Sequence, residues 1–442
     1  IGASIFASNI GSEHLIGLAG AGASSGMAMA HWEIQGWMIL ILGWGFVPFY
    51  TRSMVYTMPE FLERRYNPQS RTILSVISLV SYVLTKVAVT VYAGGLVFQQ
   101  VFGIKELWGI DFFWIAVIGL VVLTALYTIF GGMKSVLYTS VLQTPILLLG
   151  SLIILVLGFK ELGGWDEMMR VCGAVTVNDY GDTMTNLIRS NDDANFPWLG
   201  ALIGSAIIGF WYWCTDQFIV QRVLSGKNEM EARRGTIFGA YLKLLPVFLF
   251  LIPGMIAFAL HQKYIGAGGE GFLPMLANGT ANADAAFPTL VAKLLPAGVK
   301  GLVVCGILAA LMSSLASLFN SSAMLFTIDF YKRFRPETPE KKLVGIGQVA
   351  TVVIVILGIL WIPIMRSVGD VLYTYLQDVQ SVLAPGIAAA FLLGICWKRT
   401  SAQGGMWGLI SGMVIGLTRL GAKVYYSNAG EVADSTFKYL FY

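Results

Sequence analysis

Runs of about twenty residues with scarcely a charge recur from one end of this chain to the other, and nothing else in the sequence limits its fold as tightly. A helix needs about 20 apolar residues to cross a bilayer. Eleven such segments can be marked, at approximately 1–22, 32–50, 72–102, 112–130, 135–159, 197–222, 235–261, 300–330, 342–365, 369–397 and 403–421. Of the 442 residues 56% are hydrophobic and 12% charged, against roughly 25% charged in a soluble domain. The expected fold class is all-α and polytopic, since helices of this length satisfy their own backbone groups in hydrocarbon. The net charge of +4 carries no message about nucleic acid, because the basic residues sit in short loops. Cys172, Cys214, Cys305 and Cys396 lack metal-ligand spacing and read as small buried hydrophobes.

Those basic residues orient the chain. Arg52, Arg64, Arg65, Arg71, Lys134, Arg222, Lys227, Arg233, Arg234, Lys332, Arg333, Arg335, Lys341, Lys342, Lys398 and Arg399 make sixteen on alternate loops, against eight on the longer intervening ones. The positive-inside rule puts the sixteen in the cytoplasm. The N-terminal end is then cytoplasmic, and the loops 160–196 and 262–299 are outside, in a plasma or inner cell membrane. Residue 1 is an isoleucine already inside an apolar run, so a preceding piece is expected. The span count suggests two halves of five, 1–159 and 197–397, separated by the loop 160–196 and followed by an additional helix and tail, 398–442. Five is odd, so the second half enters from the opposite side, the inverted repeat of many secondary transporters.

The first segment, IGASIFASNIGSEHLIGLAGAG, is apolar at both ends and polar at Asn9, Gly11, Ser12, Glu13 and His14. An interrupted membrane helix persists only where it lines a cavity or ligand site, and such breaks mark transporter binding sites. Ionisable groups in other spans point the same way, because each costs a few kcal/mol at the bilayer centre. They are Glu33, Lys86, Lys243, Asp216 and Asp378, with Gln217 and Gln377 alongside. Lys86 and Asp216 read as pairing with interior carbonyls. Glu33, Lys243, Gln377, Asn9 and His14 form a candidate ring of donors and acceptors, flanked by Trp213, Tyr212, Trp32 and Tyr373. That combination suits a polyhydroxylated ligand, whose hydroxyls bond the polar groups while its apolar face stacks on a ring. Segment eight adds Ser313 and Ser314, with Ser317, Asn320, Ser321 and Ser322 below. These hydroxyls can ligate sodium or serve helix packing, and the residues alone leave both open. No phosphate loop, HExxH or nucleophile elbow is present, so an enzyme is not expected.

The stretches GASIFASNIGSEHLIGLAG, TMPEFLERRY, LYTIFGGMKSVLYTSVLQT, WYWCTDQFIVQRVLSGKN, LMSSLASLFNSSAMLFTIDFY and FLLGICWKR resemble the sodium/solute symporter family, specifically its sodium–glucose cotransporter branch. The resemblance covers essentially the whole chain. It implies a leucine-transporter-like fold of two inverted five-helix repeats with a broken first helix, plus one extra C-terminal helix. It also implies sodium-coupled import of a neutral hexose, glucose or galactose, by alternating access. By position it makes Asn9, His14, Glu33, Lys243 and Gln377 sugar contacts. It assigns the coupling sodium ion to Ala7, Ile10 and Ala310 carbonyls with Ser313 and Ser314 hydroxyls. Tyr212 and Trp213 become the inner gate, and Leu18, Trp32 and Tyr373 the outer gate.

Three departures stand out. Gly209 replaces an amide or hydroxyl contact, Ser140 an aspartate, and Ala316 a further hydroxyl; the last two favour one sodium per sugar. The expected partners are a small sugar, sodium and the lipid bilayer, with no nucleic acid and no obligate protein. Other readings are symport of another polar solute such as myo-inositol, or a membrane sensor of the same fold.

Overall fold

The computed structural model describes residues 1–428 except 12, 56, 194, 277–278 and 369–371. Helix dominates it, as a chain with little access to water requires. Among the described residues, eight helical runs are long and apolar enough to cross a membrane: Glu13–Ser53, Pro68–Phe102, Thr144–Leu162, Trp198–Thr215, Glu229–Gly266, Ala297–Phe334, Glu340–Pro363 and Tyr375–Cys396. The expected final segment is also helical, Ala402–Asn428, and packs on Leu372–Cys396.

Three differences from the sequence expectation have physical causes. Segments one and two are joined by only the 3-10 turn Gly26–Met29, entered through a positive φ at Gly26 (φ 72°, ψ −148°) that glycine adopts at no steric cost. The expected spans 112–130 and 135–159 belong to one helix, Phe112–Leu162, with Pro145 inside it. Its 51 residues would measure about 75 Å if straight, more than twice the ~30 Å hydrocarbon core. The intervening stretch 131–134 holds no proline, so nothing in it forces the helical hydrogen bonds to stop. Segment six is broken at Asp216, whose extended backbone (φ −77°, ψ 128°) separates Phe210–Thr215 from Gln217–Leu224.

Glycine brings the helices of the first and seventh segments into backbone contact. A Cβ on Gly22 would lie 2.3 Å from the Leu251 carbonyl oxygen, and one on Gly254 would lie 2.0 Å from that of Ala19. This is why the first segment ends in LAGAG: close packing of small residues substitutes for a hydrophobic drive that lipid does not supply. Cys172 and Cys214 are buried, but Cys305 and Cys396 are exposed on their helices, which corrects the expectation of four buried thiols. A thiol is apolar enough to face lipid.

The loop after residue 174 is fastened to the corner between segments one and two. Met27 N–H donates to the Met184 carbonyl at 2.8 Å, and Arg189 bonds the Ser25 carbonyl while pairing with Asp193 at 3.7 Å. Asp193 accepts the backbone N–H groups of Asn195 and Phe196, each at 2.8 Å.

Candidate functional site

Helix Gly2–Asn9 stops where Ile10 leaves helical geometry (φ −79°, ψ 83°). Gly11 N–H would close on the Ala7 carbonyl in an unbroken helix, but donates instead to Asn9 at 3.0 Å. His14 N–H would close on Ile10, but donates to Gly11 at 3.2 Å. The carbonyls of Ala7 and Ile10 therefore lose their helical partners. Segment eight meets this break: Ser314 Oγ donates to the Ser8 carbonyl at 3.2 Å. Gly11 makes the approach possible, since a Cβ there would lie 2.6 Å from Ser314 Oγ. Ser313 and Ala310 are buried on the same helix. A small cavity at the break is lined by Ser8, Asn9, Gly11 and Ser314 but not by Ala7, Ile10, Ala310 or Ser313; carbonyl and hydroxyl oxygens are hard, uncharged donors of the kind that can replace the hydration shell of a monovalent cation. Among the described residues, no group of three or more His, Cys, Asp or Glu could hold a metal ion.

The polar ring forms on the other side of Asn9. The π-helical turn Glu13–Leu18 carries His14, Ala30–Ile34 carries Glu33, and Lys243 follows helix Glu229–Leu242 shortly before Pro246. Lys243 Nζ is 2.6 Å from Glu33 Oε2 and 2.6 Å from His14 Nε2, and Nε2 is 3.2 Å from Glu33 Oε1. A neutral imidazole nitrogen either accepts from the ammonium or donates to the carboxylate, so one of those contacts carries the proton at a time. Gly36 opens the path for the lysine stem: a Cβ there would lie 2.5 Å from Lys243 Cγ. Gln377 enters from helix Leu372–Cys396, and Trp213 lies under the ammonium, its ring 5.6 Å from Nζ.

The floor is Tyr212, in the π-helical turn Phe210–Thr215, where extra-residue turns recur at functional sites. Asn9 Nδ2 donates to its hydroxyl at 3.1 Å. Lys86 Nζ sits 4.7 Å from the Tyr212 ring centre and 2.5 Å from Asp216 Oδ2, while Tyr82 donates to Asp216 Oδ1 at 2.6 Å. Lys86 and Asp216 thus pair with each other, not with interior carbonyls as expected. An ion pair this buried needs further partners to be favourable, and Oδ1 finds them in the Tyr82 hydroxyl and the Phe218 N–H, while the ammonium lies against the Tyr82, Tyr212 and Phe218 rings.

Asn9, His14, Trp32, Glu33, Tyr212, Trp213, Lys243 and Gln377 line one cavity, joined by Glu13, Gln35, Leu376 and Gln380. Sequence reasoning missed Gln35 and Gln380; a glutamine inside an apolar span was the available signal. Leu18 is fully buried but not on the cavity wall, and the side chains of Tyr373 and Ser140 lie outside what the structure describes. The cavity measures ≈ 20 Å³, room for about one water molecule. Elsewhere on the segments that frame it, Arg71 pairs with Glu63 and Asp329, each at 2.6 Å, and Asp284 accepts the Leu372 N–H at 3.1 Å.

Three buried acceptors on this wall have no hydrogen-bond partner: Asn9 Oδ1, Gln35 Oε1 and Gln377 Oε1. Each such group costs about 1–3 kcal/mol while unpaired. A larger groove of ≈ 790 Å³ runs along residues 79–84 and 342–361, but its lining is apolar save Lys342 and offers no such acceptors.

A family model described as "Sodium:solute symporter family" matches residues 1–412. The chain is 39% identical over 433 residues to "Sodium/myo-inositol cotransporter 2" of Homo sapiens, covering 95% of this chain and 63% of that protein. It is 40% identical over 453 residues to "Sodium/glucose cotransporter 1" of Ovis aries, covering 98% and 67%. The chain thus spans a little under two thirds of the inositol relative's length. Two solved structures share the fold. A Na+-coupled sialic acid symporter in a substrate-bound outward-open state aligns with TM-score 0.74 at 21% identity, over 99% of this chain and 87% of that one. MHP1, a nucleobase-cation-symport-1 family transporter in a closed conformation, aligns with TM-score 0.51 at 14% identity, over 99% and 94%. The leucine-transporter-like architecture expected from the sequence is therefore the one observed.

Proposed function

We propose, from the premise that this chain belongs to the sodium:solute symporter family, that its polar cavity takes a neutral polyhydroxylated solute imported with sodium, a hexose such as glucose or galactose in the first instance. The observation that carries this reading is the convergence of unpaired acceptors on one cavity floored by Tyr212 and Trp213. A solute rich in hydroxyls supplies donors to all of them, and the buried Glu33 balances Lys243, leaving no surplus cation for an anionic substrate. The similarity to an inositol cotransporter keeps myo-inositol as the second reading.

In this proposal sodium sits at the break, on carbonyls of Ala7, Ile10 and Ala310 and hydroxyls of Ser313 and Ser314. It holds Gly2–Asn9 against segment eight and so fixes Asn9 and His14 for the solute. Each ligand then raises the affinity for the other by the same factor, as linkage requires. Since the cavity is closed to the size of a water, the Lys243–His14–Glu33 contacts separate for the solute to enter. Tyr212 and Trp213 form the inner gate; Leu18, Trp32 and Tyr373 form the outer one. The two inverted halves are 1–159 and 197–397, and the loops richer in Lys and Arg face the cytoplasm.

The experiment is uptake of labelled glucose, galactose and myo-inositol into proteoliposomes with an inward sodium gradient. Accumulation that collapses when potassium replaces sodium supports symport, and the solute accumulated decides between hexose and inositol. Binding without accumulation would replace transport with sensing.

A further inference from the structure

Gly209 packs against Gln35, which lines the cavity. Gly209 ends helix Trp198–Gly209, one turn before Tyr212, and Gln35 opens the 3-10 turn Gln35–Trp37 just after Glu33. A Cβ on Gly209 would lie 2.8 Å from Gln35 Oε1, 3.1 Å from Met38 Cγ and 3.3 Å from Gln35 Cβ. The Gln35 carboxamide therefore occupies the space that a side chain at 209 would need. Gln35 is 9% exposed, lines the cavity, and its Oε1 has no partner. Structural glutamines elsewhere in this molecule are bonded: Gln217 Oε1 accepts Met58 N–H at 2.8 Å, and Gln221 Nε2 bonds Ser321 Oγ at 2.5 Å. A buried amide left unpaired beside a polar cavity lacks a structural explanation but fits a binding one.

We propose that Gln35 and Gly209 together form a subsite for one hydroxyl of the transported solute. The carboxamide of Gln35, seated in the notch left by Gly209, takes the hydroxyl, so selectivity at that position is set from segment two and not from segment six. This rests on the reading above that the cavity takes a polyhydroxylated solute. Removing a neutral hydrogen bond of this kind weakens binding about three- to tenfold. The amide is an adjunct to the Lys243–Glu33 pair, so transport survives its loss.

The test uses the full chain in proteoliposomes, the solute that the unmodified protein accumulates, and each of its monodeoxy analogues. Gln35→Leu is expected to raise KM about three- to tenfold. It should also abolish the penalty for one monodeoxy analogue while leaving the other penalties intact, which a general packing defect would not do. Gly209→Asn alone is expected to block uptake by collision with Gln35, and Gln35→Ala combined with Gly209→Asn to restore it. If Gln35→Leu does not purify as monodisperse protein, Gln35→Met is read in the same way. Unchanged KM and unchanged deoxy penalties, with normal uptake by the parent, overturn the subsite alone. Absence of sodium-driven uptake of any polyhydroxylated solute by the parent overturns the reading of the cavity and the subsite with it.

Discussion

Among the described residues, two membrane helices are broken near mid-length, and they are finished in opposite ways. The break at Asp216 is sealed by its own side chain: Oδ1 accepts Phe218 N–H at 3.0 Å and the Tyr82 hydroxyl, and Oδ2 meets Lys86. The carboxylate caps the following helix and faces its positive end. Among the described residues, the break after Asn9 has no such plug. Gly11 occupies its turn, Ser314 touches it through one hydroxyl, and two carbonyls are without helical partners. A backbone interruption in a low-dielectric interior must be satisfied by something. Where the protein satisfies it, the break is architecture; where it does not, the break is a place for a ligand.

Asp216→Leu should produce the largest effect. It strands the Lys86 ammonium in the interior, a cost of about 3–5 kcal/mol, and thermal unfolding in detergent should show loss of most folded protein. Asp216→Leu with Lys86→Met should recover much of it, since replacing both partners of a buried pair is close to neutral. A single variant as stable as the parent would end the claim that this break is architectural.

At the open break, Ser314→Ala should leave stability within about 1 kcal/mol and raise the sodium concentration for half-maximal uptake roughly tenfold. Solute preference should hold. Gln377→Ala should do the reverse, raising KM for the solute several-fold and touching sodium only through coupling. Equal effects of both changes on both ligands would erase the division between the cation break and the solute cavity.

The smallest expected effect concerns the loop fastened over the outer corner. Burial pushes the Asp193 carboxyl up, but the N–H groups of Phe196 and Asn195, the Asn178 amide and Arg189 outweigh it and hold the pKa below the ordinary aspartate value. A carboxyl lowered on folding stabilises the loop above its unfolded pKa of about 3.9, and that contribution fades as pH falls through the lower folded value. Proteolysis between 174 and 196 should therefore stay slow at neutral and mildly acidic pH and quicken only below about pH 4. Faster cleavage already at pH 6 would assign the fastening to other groups.

Much of the site was legible as a cost. Asn9, His14, Glu33, Lys243 and Gln377 are conspicuous in apolar spans because hydrocarbon penalises them, and five of the lining residues follow from that alone. Gln35 was not, because a glutamine two residues from Glu33 belongs to another face of a regular α-helix, and only the tightened turn Gln35–Trp37 and the absence of a side chain at Gly209 bring it to the cavity. Lys86 and Asp216 were visible individually, but their pairing joins residues 130 positions apart.

Hydrophobicity is local and additive along the chain, so the sequence by itself determined a membrane protein of many helices, the stretches that cross, and a short list of polar residues that could not be there without a reason. Whether each of those residues is satisfied by the protein or left for a ligand depends on distances of a few ångströms between distant elements. That was decided by the tertiary structure alone, which closed one break with Asp216, left the other open beside Ser314, and gathered three unpaired acceptors on residues of a single cavity.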